Sequence, residues 1–282
     1  MNFIMTIGIS GSGKTTWCNA NSHPGDIVLD SDAMRQQLWG DANDQQNPAA
    51  VFAAMKAQAI AALKNNHNVY YCATNLAAKH RILLLKELRQ QVKEVQCKAV
   101  VFGVPIEVCK ERNAARERQV PDEVIKRQML QFQIPFSAEG WDEIEVVHNG
   151  SMYPVQELVE RIKEFGDQHN AWHTLSLMEH SAKCNALMCA KTYNPLLRTA
   201  AWLHDVGKVV AKTEDRLGNW HYYGHECAGA YMVCCTTLDL KVAQLIGAHM
   251  YPYQNTELWE KRCGKKVWEE IMMLHECDRE AH

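Results

Sequence analysis

Residues 8–15 read Gly-Ile-Ser-Gly-Ser-Gly-Lys-Thr, which satisfies GxxxxGK[ST] at every fixed position. No other feature constrains the fold as strongly, because such a loop works only between a strand and a helix. The apolar run Phe3 to Ile9 supplies the strand, and helical spacing begins near Lys14. Glycines let backbone N–H groups converge on phosphate oxygens, and the helix adds the positive end of its dipole. Gly8, Gly11, Ser12, Gly13, Lys14, Thr15 and Thr16 are therefore the expected binding residues for ATP or another nucleoside triphosphate. Lys14 would reach the β- and γ-phosphates, and the Thr15 hydroxyl would hold Mg²⁺. A chain of this composition meets the pattern by chance roughly three times in a thousand.

The pattern after the loop extends the same architecture. Asp26 to Leu29, Asn68 to Cys72, Gln96 to Val104 and Ile144 to Val147 read as strands. Between them Ser31 to Trp39, Pro48 to Asn65, Leu76 to Val92 and Pro105 to about Arg118 read as helices. Alternation of this kind predicts an α/β domain: a parallel sheet with helices on both faces. A turn cluster at 148–151 and a helix from Pro154 to about Phe165 close this half, with Gly166-Asp167-Gln168 as stop and linker. Beyond the linker strand signals vanish. Leu175 to Leu187, Leu196 to Leu203, Glu226 to Leu238, Leu240 to His249 and Lys266 to Asp278 all carry helical spacing. The expected domains are an α/β unit over 1–166 and an all-α unit over 167–282.

Composition removes several classes. Thirty basic residues against 33 acidic ones give a net charge of -3, unlike a wholly basic nucleic-acid coat. No apolar run approaches the roughly 18 residues needed to span a bilayer, and the first residues lack the basic region of a signal peptide. Eleven cysteines, an odd number without a CxxC pair, suit free thiols in a reducing, cytoplasmic setting. Histidine is distributed unevenly: of 13, only His23, His67, His80 and His148 precede residue 169. Metal or acid–base chemistry is thus expected in the second half.

In the first half the next informative segment is Asp30-Ser31-Asp32-Ala33-Met34-Arg35. Asp32 falls just after a strand, at the carboxyl edge of the sheet where ligands bind. A carboxylate there can accept the proton of an attacking hydroxyl, and Arg35, one turn on, can hold a phosphate. Asp30 reads as a helix cap. The loop, this segment, Ala73-Thr74-Asn75-Leu76 with Arg81, and the run Phe102-Gly103-Val104-Pro105, Arg112-Asn113, Arg116 and Val120-Pro121 together resemble the 5′-kinase module of phage polynucleotide kinases. The resemblance covers about residues 1–148. It implies that Asp32 is the general base for a 5′-hydroxyl, that Arg35 binds the acceptor phosphate, and that Arg116 on a lid stabilises the transferring phosphoryl group. Arg112 and Arg118 are weaker candidates, and Thr74 and Asn75 could contact the acceptor. One position departs from related kinases: Cys72 stands where Asp is common. Mg²⁺ is then expected to rest on Thr15 and the phosphates.

In the second half His180, His204-Asp205, His225, His249 and Asp278 form a set of imidazoles and carboxylates on separate helices. Such donors suit Zn, Mn, Fe, Co or Ni better than Ca²⁺. Together with Val206-Gly207-Lys208, Gly218 and Tyr222-Tyr223-Gly224-His225-Glu226, the set resembles the HD superfamily of metal-dependent phosphohydrolases, especially the HD domains appended to tRNA nucleotidyltransferases. The resemblance implies a first metal on His180, His204, Asp205 and Asp278. It implies a second on His225 and His249 with Asp205 bridging, and Lys208 as a phosphate contact. His173 and His221 lie outside the pattern; His275, one turn before Asp278, suits an outer position.

The two resemblances imply an enzyme that heals nucleic-acid ends. A 5′-hydroxyl kinase would act beside an HD 3′-phosphatase or 2′,3′-cyclic phosphoesterase on RNA or DNA ends that a ligase then joins. Two other readings fit the same motifs: a nucleoside or metabolite kinase fused to an HD nucleotidase, and a nucleotide-gated HD switch. Residues 110–127 hold six basic side chains against four acidic ones, which favours a polynucleotide only slightly.

Overall fold

Five strands form one parallel sheet: β1 (Asn2–Ile7), β2 (Ile27–Asp30), β3 (Val69–Cys72), β4 (Gln96–Phe102) and β5 (Glu143–Val147), in the order β2-β3-β1-β4-β5. The computed structural model describes residues 1–42, 44, 46–169 and 174–281. Strand β1 is central, so the chain winds to one side through β3 and to the other through β4. The phosphate loop leaves β1 at that reversal, the crevice where open α/β sheets bind ligands. Covering helices are α1 (Lys14–Asn21), α2 (Ser31–Trp39), α3 (Pro48–Lys64), α4 (Ala78–Gln91), α5 (Ile106–Ala114), α6 (Asp122–Leu130) and α7 (Val155–Phe165).

Two differences from the sequence reading bear on the site. Helix α5 stops at Ala114, so Arg116 and Arg118 lie in the turn after it. The buried Asn113 amide ends it by bonding both the N–H and the carbonyl of Val120, at 2.9 and 2.8 Å. Helix α6, absent from the sequence reading, then carries the chain along the cleft. It spans Asp122–Leu130, nine residues flanked by Pro121 and Gln131.

The second half is helical: α8 (Leu177–Lys191), α9 (Pro195–Leu203), α10 (Lys208–Ala211), α11 (His225–Cys234), α12 (Leu240–Ala248), α13 (Thr256–Cys263) and α14 (Lys265–Glu280). It also holds a small antiparallel pair, β6 (Thr213–Glu214) and β7 (Trp220–His221). The second half thus holds one short hairpin among its helices; its strands are two residues long, too short for periodicity to register. Asp215 closes the hairpin by accepting from the backbone of Leu217 and Asn219.

Helix α11 is buried on nearly all sides, the mark of a central helix. It packs on both halves of the molecule. Tyr231 Oη donates to the Val104 carbonyl at 2.7 Å, and a Cβ on Gly103 would lie 1.8 Å from the Cys234 carbonyl oxygen. Across the same contact Glu139 accepts from Arg81 Nη2 at 2.9 Å and Arg262 Nε at 3.0 Å, all three side chains being buried. Arg81 also donates to the carbonyls of Asn75 and Leu76. Arg81 thus ties α4 and the chain after β3 to Glu139, Arg262 carries the link to the second half, and Arg81 does not line the phosphate-loop cleft.

Candidate active sites

The phosphate loop takes its shape from contacts behind it. Gly11 has φ +85°, and a Cβ there would sit 2.1 Å from the Cys109 carbonyl oxygen. Ser12 turns its hydroxyl back to the Ile9 carbonyl, 2.9 Å away, and Gln128 of α6 accepts from the Ser10 N–H at 2.7 Å. Lys14 Nζ folds onto the loop, 2.7 Å from the Ile9 carbonyl. Burial lowers the Lys14 pKa, and neighbouring Cys72 and Cys109 oppose the shift.

Ser10, Gly11, Gly13, Lys14 and Thr15 line a cleft of about 530 Å³ together with Asp30, Asp32, Arg35, Cys72, Thr74, Arg116, Arg118 and Arg127. Gly8 and Ser12 are buried behind the lining, and Thr16 is exposed outside it. Asp32 stands at the start of α2, clamped by Arg35 Nη1 at 2.5 Å and Arg118 Nη1 at 2.9 Å. Arg35 is buried and its Nε has no hydrogen-bond partner. Arg116 is in the lining, whereas Arg112 is turned away and donates to the Asn149 carbonyl at 2.8 Å. Asn75 uses its amide on the Thr6 carbonyl, 2.8 Å away, which makes it a backbone tie.

Asp30 does more than cap. Its Oδ1 accepts from the Asp32 and Ala33 N–H groups, and its Oδ2 accepts from Thr15 Oγ1 at 3.0 Å. Cys72 Sγ lies 3.4 Å from the same hydroxyl. A carboxylate thus faces Thr15 from β2, where the sequence reading left Mg²⁺ with Thr15 and the phosphates alone. Thr15 and Asp30 are hard oxygen donors of the kind that suit Mg²⁺.

The second site lies among helix ends. His180 is on the first turn of α8, whose start is fixed by a Ser176/Glu179 capping box. His204 and Asp205 follow α9, His225 opens α11, His249 follows α12, and Asp278 is on α14. His204, His225 and His249 each direct Nδ1 to the carbonyl three residues earlier, on Ala201, Tyr222 and Ile246, at 2.9, 2.8 and 2.7 Å. A carbonyl only accepts, so those contacts put the proton on Nδ1 and turn each Nε2 inward as a donor atom for a cation.

His180, His204 and Asp205 form one close group of such atoms, and Asp205, His225 and His249 a second. The Nε2 atoms of His180 and His204 are 3.1 Å apart, and those of His225 and His249 likewise 3.1 Å. Asp278 Oδ1 lies 3.1 Å from His180 and 3.3 Å from His204. Asp205 presents Oδ2 to the first pair, at 3.5 and 3.4 Å, and Oδ1 to the second, at 3.2 and 3.8 Å. One carboxylate therefore bridges both groups. Lys208 Nζ is 2.7 Å from Asp205 Oδ2.

Electrostatics call for positive charge at this centre. Burial disfavours a charged Asp205, yet Lys208 and His204 hold its carboxyl well below the usual range. Asp278 is lowered too, because hydrogen bonds from His180 and His204 outweigh its burial. Burial opposes a charged His204, but Asp205 raises its pKa well above the ordinary value. His249 is pushed down to about 3 by burial, then by His225 and His204. Four imidazoles and two carboxylates this close fit one or two divalent cations.

Of the remaining histidines, His221 pairs with Asp215 in the hairpin at 3.2 Å, and His275 packs edge-on against Tyr253 at 4.5 Å. His173 lies outside the described residues.

The two halves match two different family models. Residues 3–135 match the family model of an AAA domain, and residues 173–279 that of an HD domain. No curated protein is similar enough in sequence to match the chain. Similar solved structures include the Pnkp1/Rnl/Hen1 RNA repair complex, at 23% identity and TM-score 0.40 over 47% of this chain and 44% of that one. A second Pnkp1/Rnl/Hen1 complex matches at 23% identity and TM-score 0.34, over 43% of this chain and 40% of that one. A gluconokinase from Sinorhizobium meliloti 1021 matches at 18% and TM-score 0.38, over 55% and 86%. The chain spans under half the length of the first two. Among the described residues, no helix is long and apolar enough to cross a membrane. A P-loop domain matched as AAA is thus followed by an HD domain.

Proposed function

We propose that this chain, a P-loop domain joined to an HD domain, phosphorylates 5′-hydroxyl ends of RNA or DNA and removes phosphate from 3′ ends. One observation carries the kinase half: Asp32, held by Arg35 and Arg118, lines the same cleft as Lys14 and Thr15. The cleft wall offers Lys14 and four arginines, Arg35, Arg116, Arg118 and Arg127, against two carboxylates, Asp30 and Asp32. That surplus suits an acceptor carrying phosphate next to its hydroxyl, as a polynucleotide end does and a free nucleoside does not.

Asp32 accepts the proton of the 5′-hydroxyl as its oxygen bonds to the γ-phosphorus, and the nucleoside diphosphate leaves. Lys14 and Arg116 neutralise the phosphoryl oxygens in flight, while Arg35 and Arg118 turn from Asp32 to the acceptor phosphate. Thr15 and Asp30 would hold Mg²⁺, which would supply positive charge to the phosphates.

In the HD half His180, His204, Asp205 and Asp278 would hold one divalent cation, and His225, His249 and the bridging Asp205 a second. When bound, such cations supply Lewis acidity toward water and phosphoryl oxygens. Lys208 meets a phosphoryl oxygen of a 3′-phosphate or 2′,3′-cyclic phosphate. The healed ends would suit a ligase partner. We take Gly166 as the division between the halves.

The test is direct. With labelled ATP and Mg²⁺, label should pass to 5′-hydroxyl RNA or DNA oligomers far faster than to nucleosides. Transfer to nucleosides or sugars alone would overturn the polynucleotide assignment. Release of phosphate from 3′-phosphorylated ends, or opening of 2′,3′-cyclic ends to the phosphomonoester, should require Mn²⁺, Co²⁺, Ni²⁺, Fe²⁺ or Zn²⁺.

A further inference from the structure

The segment joining the two halves reads as a plain linker, yet Gln168 is almost completely buried. Its carboxamide oxygen accepts from Lys208 Nζ at 2.8 Å. Lys208, itself buried, donates at the same time to Asp205 Oδ2 at 2.7 Å. We propose that Gln168 is a positioning residue of the HD centre, which fixes the Lys208 ammonium between the Asp205 carboxylate and the phosphoryl group of the substrate.

Two further contacts of Gln168 fit that role. Its Nε2 donates to the Leu175 carbonyl at 3.2 Å, so the amide cannot flip and the oxygen must face Lys208. Its backbone carbonyl accepts from the Tyr222 hydroxyl, and the Tyr222 ring lies 5.3 Å from Lys208 Nζ. Tyr222 therefore ties down the linker and forms one wall around the ammonium.

Lysine reaches its target on four flexible carbons with a rotating ammonium. Two fixed acceptors on different elements, Asp205 and Gln168, set both the position and the rotation of Nζ. A neutral amide suits the second place better than a carboxylate, because it anchors the ammonium without adding negative charge beside Asp205. Gln168 also lies before residue 173, where the match to the HD model begins. The HD centre is thus completed by a side chain from the joining segment.

This inference rests on the phosphohydrolase reading, and its test separates the two. In the full chain, loaded with Mn²⁺ and given a 3′-phosphorylated oligomer, Gln168→Leu should lower kcat about tenfold, the lower range for an outer partner of a metal site. Metal content and kinase activity should stay at wild-type values, while the melting temperature falls modestly because a buried acceptor of Lys208 is lost. Gln168→Glu, which restores an acceptor oxygen but sets a carboxylate against the Leu175 carbonyl, should recover only part of the loss. In a Lys208→Ala background Gln168→Leu should add nothing. The same pair should also fail to add in urea unfolding, a readout that needs no substrate. Additive effects in urea or equal losses in the Leu and Glu variants would overturn the proposal. If His204→Ala also leaves hydrolysis untouched, the phosphohydrolase reading fails; if only Gln168→Leu does, this inference alone fails.

Discussion

The cleft and the HD centre are assembled in opposite ways. Asp32 is 54% exposed and is held by side chains from a helix and a turn, so its contacts must open for an acceptor to enter. His180, His204, Asp205 and His249 are each no more than 3% exposed, and backbone carbonyls aim three of the imidazoles. The first site is completed by its substrates; the second is organised in advance around charge. Damage should differ accordingly: loss of a group in the cleft changes a rate or an affinity, whereas loss of one in the centre removes its cation.

The largest effect is expected at the centre. His204→Ala should abolish metal-dependent hydrolysis, well beyond the roughly 10–100-fold that an outer partner costs, with only partial rescue by excess metal. Kinase activity in the same folded variant should be unchanged. Assaying both activities on one preparation decides the matter, because joint loss would mean that the sites are coupled and that nucleotide gating is the better reading.

Next comes Asp32→Ala, the converse experiment. Removal of a general base should cost on the order of 10²–10⁴ in phosphoryl transfer, with nucleotide affinity held within a few-fold. Hydrolysis by the HD half should persist. Full kinase activity in this variant would remove Asp32 from the chemistry.

A third variant asks whether the contrast stops at the sites. Glu139→Gln leaves Arg81 and Arg262 buried without their shared carboxylate, and breaking such a buried pairing costs about 3–5 kcal/mol. Because α11 packs against both halves, both activities should be lost in one unfolding transition at lower denaturant. Two separate transitions, each removing one activity, would show that the halves are independent units.

What was legible in the sequence follows the same contrast. The phosphate loop is contiguous, so its residues and the strand–loop–helix around it could be read directly. The six metal-type side chains lie far apart, but histidine is rare enough that their number and order stood out. Contacts made across the fold left no such mark. Arg118 read only as a weaker candidate because nothing local says that the helix ends at Ala114 and turns Arg118 back on Asp32. Asp30 read as a cap, which it is, while its second oxygen serves Thr15. Gln168 read as linker because its partner is 40 residues away.

The smallest expected effect tests how loosely the cleft is held. Arg118 is 34% exposed and its partner Asp32 more so, hence solvent screens the pair and the contact contributes little stability. A weak contact is what a phosphate-binding arginine in an opening cleft requires, since the guanidinium must leave Asp32 when the acceptor arrives. Arg118→Ala should therefore raise KM for a 5′-hydroxyl oligomer by about tenfold, or 1.4 kcal/mol, and change kcat by less than about threefold. Added salt should narrow the difference from wild type, because the lost interaction is a screened one. Steady-state kinetics at two ionic strengths measure both effects. Were kcat to fall as far as in Asp32→Ala with KM unchanged, Arg118 would act on Asp32 itself, and the cleft would be as fixed as the centre.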